Sequence, residues 1–225
     1  MVEAHGDDPE LRRRGLEDLF AGYSIPILEY TRRLLGTRRD QAEDVVQEFF
    51  VHLMEGRVLE LADPASGRFR HYIKGVLRNF VVDHLRRTGR AKRGGDAPVL
   101  SLDRAIEAGL RPAVDVEEAG AALDREWATR LMDLAMESLV RTLEAEGRGR
   151  DLEIFRRYVA TPEGAERPTY KDLAAAFDVS ERTVWKALAR TRERYRTLVA
   201  REVSRTVARP EDVGDEVESL LELLA

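Results

Sequence analysis

Cysteine is absent from this chain of 225 residues. Its absence excludes disulfide staples, thiolate metal sites and cysteine nucleophiles. Histidine is scarce, with four residues, and no two stand at metal-ligand spacing. No uninterrupted apolar run approaches the ~20 residues of a membrane span. The opening MVEAHGDDPE is acidic and has no apolar centre, so no signal peptide is expected. A cytoplasmic protein with no membrane contact follows as the expectation. The chain also lacks the β-branched alternation of strands, a carboxylate cluster at metal spacing, a glycine loop to cradle phosphate and a nucleophile–base pair. Enzymatic activity, cofactors and metal sites are therefore not expected.

What is present is charge and helical periodicity. Apolar residues make up 43% and charged residues 35%, enough for one large or two small cores. The net charge of −5 hides an uneven distribution. Residues 66–93 hold nine bases (Arg68, Arg70, Lys74, Arg78, Arg86, Arg87, Arg90, Lys92, Arg93) against one acid, Asp83. Residues 182–201 hold seven bases against Glu193, whereas 211–225 holds six acids and no base. Two basic segments in an acidic chain suit two contacts with a polyanion, or two solvated helix faces.

The apolar spacings predict helices throughout. Ser24 with Pro26 in the first turn opens one that runs to Gly36. Asp40, with Glu43 as its box partner, opens another with Val45, Val46, Phe49, Phe50, Leu53 and Met54 on one face and Asp44, Glu48 and Glu55 on another. After a loop over 62–67, a helix from about Arg68 to Arg87 points Phe69, Ile73, Val76, Leu77, Phe80 and Val81 at a core and sets Arg70, Lys74 and Arg78 on a different face. Gly89, Gly94, Gly95, Pro98 and Pro112 mark a linker. Helix resumes near Asp115, with Leu123, Trp127, Leu131, Leu134 and Leu143 in period, and Asp151 is expected to cap a short helix after Gly147 and Gly149. The fold class is all-α: two small helical domains joined by a flexible linker.

The sharpest local motif is TYKDLAAAFDVSERTVWKALARTRERYR (169–196). Thr169 and Asp172 form a capping box, Asp178-Val179-Ser180 a turn, and Ser180 a second cap. Val184, Leu188 and Tyr195 face inward, and Val179 fills the elbow. This is a helix-turn-helix pattern, whose second helix fits the major groove. Glu181, Arg182, Thr183, Trp185 and Lys186 occupy its exposed start, with Arg190, Arg192, Arg194 and Arg196 further along to suit phosphates. Read without its surroundings, the segment also fits an ordinary helical hairpin with a basic surface.

Two further runs, AEDVVQEFFVHL (42–53) and RFRHYIKGVLRNFVVDHLRR (68–87), resemble domain two of bacterial RNA polymerase sigma factors of the sigma-seventy family. The extracytoplasmic-function subfamily is the nearest in pattern, and 169–196 resembles sigma domain four in the expected order. The resemblance spans roughly 11–90 and 125–200. It implies a disordered start over 1–10, domain two over 11–92, a linker over 93–122, domain four over 123–200 and an acidic amphipathic extension over 201–225. It also implies a sigma factor that binds core RNA polymerase and directs promoter-specific initiation. Asp44, Gln47 and Glu48 would meet the beta-prime clamp coiled coil, and domain four the beta flap. Arg70, Lys74, Arg78, Asn79, Arg86 and Arg87 would serve the minus-ten element. Glu181, Arg182, Thr183, Trp185, Lys186 and Arg190 would serve the minus-thirty-five element. Phe69 and Tyr72 suit either base stacking or the core, and Asp83 suits pairing with Arg86 or Arg87. Promoter DNA and an anti-sigma factor are the remaining candidate partners.

Two features depart from the resemblance: a long stretch over 141–168, and the extension, whose Val213, Val217, Leu220, Leu221 and Leu224 form one stripe. Such a short helix needs an apolar surface. Packing on domain four is the favoured expectation for it, ahead of screening the basic recognition helix or docking on a partner. The alternative reading is a helix-turn-helix regulator that dimerises and acts on duplex DNA without polymerase; a nucleic-acid enzyme lacks the motifs it would need, and a protein-binding helical adaptor would leave the two basic segments unused.

Overall fold

A computed structural model describes residues 9–36, 39–55, 69–91, 116–161, 166–207 and 209–224. The described residues contain eight α-helices and no strand: α1 (Pro9–Leu35), α2 (Arg39–Glu55), α3 (Phe69–Ala91), α4 (Val116–Ala145), α5 (Gly149–Val159), α6 (Tyr170–Phe177), α7 (Glu181–Ser204) and α8 (Val213–Leu223), the last preceded by a 3₁₀ turn, Pro210–Asp212. The all-α expectation therefore holds. The loop predicted over 62–67 and most of the predicted linker lie outside the described residues. The chain divides into two compact units, one of residues 1–130 with 203–225, the other of 131–202.

The first unit is built on α1–α3 and the start of α4. Helix α1 buries Leu19, Tyr23, Ile27, Tyr30 and Leu34, α2 buries Val45, Phe49 and Leu53, and α3 buries Phe69, Ile73, Leu77 and Val81. The steps of three and four along each helix are what a core-facing stripe requires. Trp127 of α4 is fully buried, with its ring 6.5 Å from that of Tyr23, and Tyr23 meets Phe69 edge-on at 5.9 Å. Phe69 is thus a core residue rather than a base-stacking one. Val203, Val207 and Leu220 of the tail are buried as well.

Three expectations need correction in this unit. Helix α1 starts at Pro9, inside the stretch expected to be disordered, and passes through Ser24 and Pro26 instead of starting there. An interior proline leaves the Gly22 carbonyl without its helical donor. The buried row on both sides of Pro26, itself buried, outweighs that loss. The linker bound of 122 falls too late: helix resumes at Val116, as expected near Asp115, because Ala119, Ala122 and Leu123 bury one face. The tail from Val203 belongs to this unit and not, as favoured, to the unit carrying the 169–196 motif.

The second unit packs Leu139 and Leu143 of α4, Leu152, Ile154 and Phe155 of α5, Leu173 and Ala174 of α6, and Val184, Ala187 and Leu188 of α7 into one core. Gly147 ends α4 at a φ of +67°, which lets the Arg148 N–H return to the Leu143 carbonyl at 2.8 Å. Asp151 does not cap α5. That helix starts two residues earlier, at Gly149, and Asp151 pairs with Arg148 at 2.9 Å.

Candidate functional site

Three surfaces carry the residues singled out from the sequence. On α2, the inward stripe of Val45, Phe49 and Leu53 forces Asp44, Gln47 and Glu48 outward, and all three are exposed. Glu48 Oε2 lies 3.6 Å from Arg87 Nη2 and 3.6 Å from His84 Nδ1 of α3. Apolar side chains accompany the acids: Val51 and Met54 of α2 are exposed, and Phe20 of α1, also exposed, packs against the Phe50 ring at 5.0 Å.

On α3, the sequence suggests a free basic row. The structure gives a different arrangement. Arg70 is only 4% exposed. Its Nε lies 3.2 Å from Glu216 Oε1 of α8, a close ion contact, and its Nη2 donates to Ser219 Oγ at 2.9 Å. The guanidinium also lies over the Trp127 ring, 4.9 Å from its centroid. One turn later, Lys74 donates to Asp124 Oδ2 of α4 at 2.7 Å. Arg78 is half-buried and close enough to Tyr30 to act on its hydroxyl, which burial nevertheless pushes up to about 12. The reason for the departure is tertiary. A helix stripe that looks solvent-facing in α1–α3 alone is covered by elements from far along the chain. Burial likewise raises the Tyr23 hydroxyl, which sits beside Glu216 and Arg70. Further along α3, Asn79 and Arg87 are exposed, and Arg86 pairs with Asp83 at 3.0 Å, one of the two partners expected for that acid. Tyr72 is half-buried with its ring 6.1 Å from that of Phe69.

The third surface lies on α6 and α7. Thr169 caps α6 through the Asp172 N–H, and the Asp172 carboxylate accepts from the Thr169 N–H at 2.8 Å. Its hydrogen bond from the Thr169 hydroxyl, then that from the Thr169 backbone, holds the Asp172 carboxyl below the usual carboxylate range. Asp178 takes the left-handed conformation that ends α6, with φ of 51°, and the Val179 N–H reaches the Ala174 carbonyl at 3.0 Å. Ser180 Oγ accepts from the Thr183 N–H at 3.1 Å and so caps α7. Val184, Leu188 and half-buried Tyr195 point inward as expected, and the Tyr195 hydroxyl donates to the Met132 carbonyl at 3.1 Å.

With these inward positions fixed, Glu181, Arg182, Thr183, Trp185, Lys186 and Arg190 are all exposed, Trp185 at 56%. Among the described residues neither Arg182 nor Lys186 has an ion-pair partner. The later arginines are more engaged. Arg190 lies 3.6 Å from Asp151, Arg194 pairs with Glu146 at 2.7 Å, and Arg192 stacks on Tyr158 at 4.6 Å. Arg167 lies over the same ring at 5.2 Å. Hydrogen bonding to Arg192 draws the Tyr158 hydroxyl below its ordinary value. The sequence reading missed Arg167 and Tyr158 because the stack forms between segments that are separate along the chain.

Among the described residues no group of three or more His, Cys, Asp or Glu could hold a metal ion, and no helix is long and apolar enough to cross a membrane. Against known families, residues 19–91 match the family model described as Sigma-70 region 2. That segment runs from Leu19 in α1 through α2 and α3, so the first two surfaces both fall within it. The likeness belongs to this segment, 73 of the 225 residues. No curated protein and no solved structure matches the chain.

Proposed function

We propose that the chain is a sigma factor of the extracytoplasmic-function type, which binds core RNA polymerase and directs it to promoters. The region 2 match at 19–91 carries this reading. The exposed acidic and amide face of Asp44, Gln47 and Glu48 suits a basic partner surface, taken here as the beta-prime clamp coiled coil. Asn79, with a donor and an acceptor on one exposed amide, suits a base edge in the minus-ten element, with Arg87 nearby for phosphate. The α6–α7 pair suits a helix-turn-helix for the minus-thirty-five element. Arg182 and Lys186 stand one turn apart and can reach guanine edges, Trp185 and Thr183 present apolar groups, and Glu181 can accept from a cytosine amine. The role is one of binding rather than catalysis. An anti-sigma protein is a further candidate partner.

The deciding experiment is capture of core polymerase by the purified chain, followed by transcription from a fragment library. Specific initiation that requires the chain is expected. Asp44→Arg reverses the charge of the α2 face at an exposed position, and it should abolish polymerase capture while leaving the circular dichroism spectrum unchanged. A chain with no affinity for core polymerase would overturn the proposal, and tight duplex binding by a stable dimer would point to a stand-alone regulator.

A further inference from the structure

The two cations at the start of the α3 basic row, Arg70 and Lys74, take their acidic partners from outside the matched segment 19–91. Lys74 takes Asp124 of α4, and Arg70 takes Glu216 and Ser219 of α8. We propose that these appended elements form an acidic cover over the row, that α8 is its movable part, and that nucleic-acid phosphate replaces Glu216 on Arg70 when α8 lifts. The inference goes beyond the proposed function, and it rests on that reading only for the identity of the nucleic acid as promoter DNA.

Three observations carry it. Arg70 is 4% exposed and Glu216 is 3% exposed, so no outside anion reaches this guanidinium while α8 is seated. A guanidinium held beside a carboxylate by charge can hold a phosphate in its place, and its planar donors match a phosphate better than this single contact uses. The cover is also marginal. Helix α8 has 11 residues, too few to be stable in isolation, carries Gly214 near its start, and leaves Leu221 exposed at 54%, as is Leu224 just after it at 43%. Leu220 and Glu216 are its buried side chains. Finally, the segment 211–225 has six acids and no base, so it repels the phosphates that compete for its seat. Local opening of such a weakly held helix is the low-energy route to the covered site.

The test compares the full chain with one ended before Pro210, using a fluorescein-labelled single-stranded DNA oligonucleotide of mixed sequence over a range of salt. Each phosphate newly neutralised steepens the log–log salt slope by about 0.7 on a single strand. The shortened chain should therefore bind roughly tenfold more tightly near 0.1 M salt with a steeper slope, and Arg70→Gln in that background should remove the gain. A shortened chain that is folded by circular dichroism but binds with unchanged affinity and slope would overturn the cover. Should shortening unfold the protein, amide hydrogen exchange over 213–223 in the full chain decides: exchange should quicken when the oligonucleotide is saturating, and unchanged protection sinks the proposal. Polymerase capture is measured in parallel. A chain that gains DNA affinity on shortening but never captures polymerase keeps the cover and loses the promoter reading, and the converse result does the opposite.

Discussion

Asp178 does work that glycine usually does. Its φ of 51° lies where a side chain is strained, and aspartate is among the few residues that visit this region routinely. Asp178→Val should therefore destabilise the second unit by about 1–2 kcal/mol, while Asp178→Gly should be close to neutral, both read from urea midpoints. Nine residues earlier, Thr169 caps α6, and Thr169→Ala should cost roughly 1 kcal/mol by the same measurement. Its partner Asp172 has a carboxyl held low in the folded state, chiefly by the Thr169 hydroxyl. A group with a lowered folded value stabilises above its unfolded value and loses that contribution as pH falls through the folded one. The box should thus be intact at neutral pH and fade only in acid, below about pH 4, and Asp172→Asn should flatten that acid limb in a pH series of urea midpoints. Arg182 is a specificity residue in the proposed function. Arg182→Ala should cost about 1–3 kcal/mol of base discrimination, visible as lost minus-thirty-five selectivity in transcription, with polymerase capture unchanged.

Helices α2 and α7 present the residues expected of them because each buries one stripe and exposes the rest. Helix α1 does not follow local rules so closely. A proline at position 26 reads as a start signal, yet α1 runs past it because the first unit buries Leu19 and Tyr23 on one side and Ile27 and Tyr30 on the other. Helix α4 begins at Val116, where helix is expected to resume near Asp115, and Trp127 anchors it to Tyr23. Trp127→Ala should destabilise the first unit by about 3–5 kcal/mol through the cavity it leaves, a loss large enough to see as a separate early transition in thermal unfolding. The Arg70–Glu216 pair makes a sharper case. Removing one partner of a buried ion pair strands the other charge, so Glu216→Ala should cost about 3–5 kcal/mol, whereas replacing both partners with apolar residues should cost much less. A double-mutant cycle separates the two outcomes.

Taken whole, a molecule with the proposed role should not open a promoter by itself. Base-pair stacking is worth about 1.4 kcal/mol per step, so opening five steps costs ~7 kcal/mol, and a flipped base costs a few more. Each aromatic stacking contact returns about 1–3 kcal/mol, and Phe69 is packed in the core rather than free to supply it. With Arg70 and Lys74 engaged by the chain's own acids, free cations on α3 are fewer still. The isolated chain should bind DNA weakly and lose that binding steeply with salt. It should show no strand opening by the fluorescence of a base analogue unless core polymerase is added. Opening by the chain alone at physiological salt would contradict this energetic account.

What the sequence determined by itself is what depends on neighbours three or four residues apart. The all-α class, the Thr169–Asp172 box, the Ser180 cap and the exposure of Asp44, Gln47, Arg182 and Lys186 all follow from helical period and capping chemistry. Tertiary structure alone decided which charged faces stay open. Arg70 meets Ser219 across a separation of 149 residues and Lys74 meets Asp124 across 50, and no local pattern encodes such pairings. A basic stripe has the same spacing whether it faces water, phosphate or its own acidic tail. Only packing in three dimensions settles which partner removes each charge from solvent.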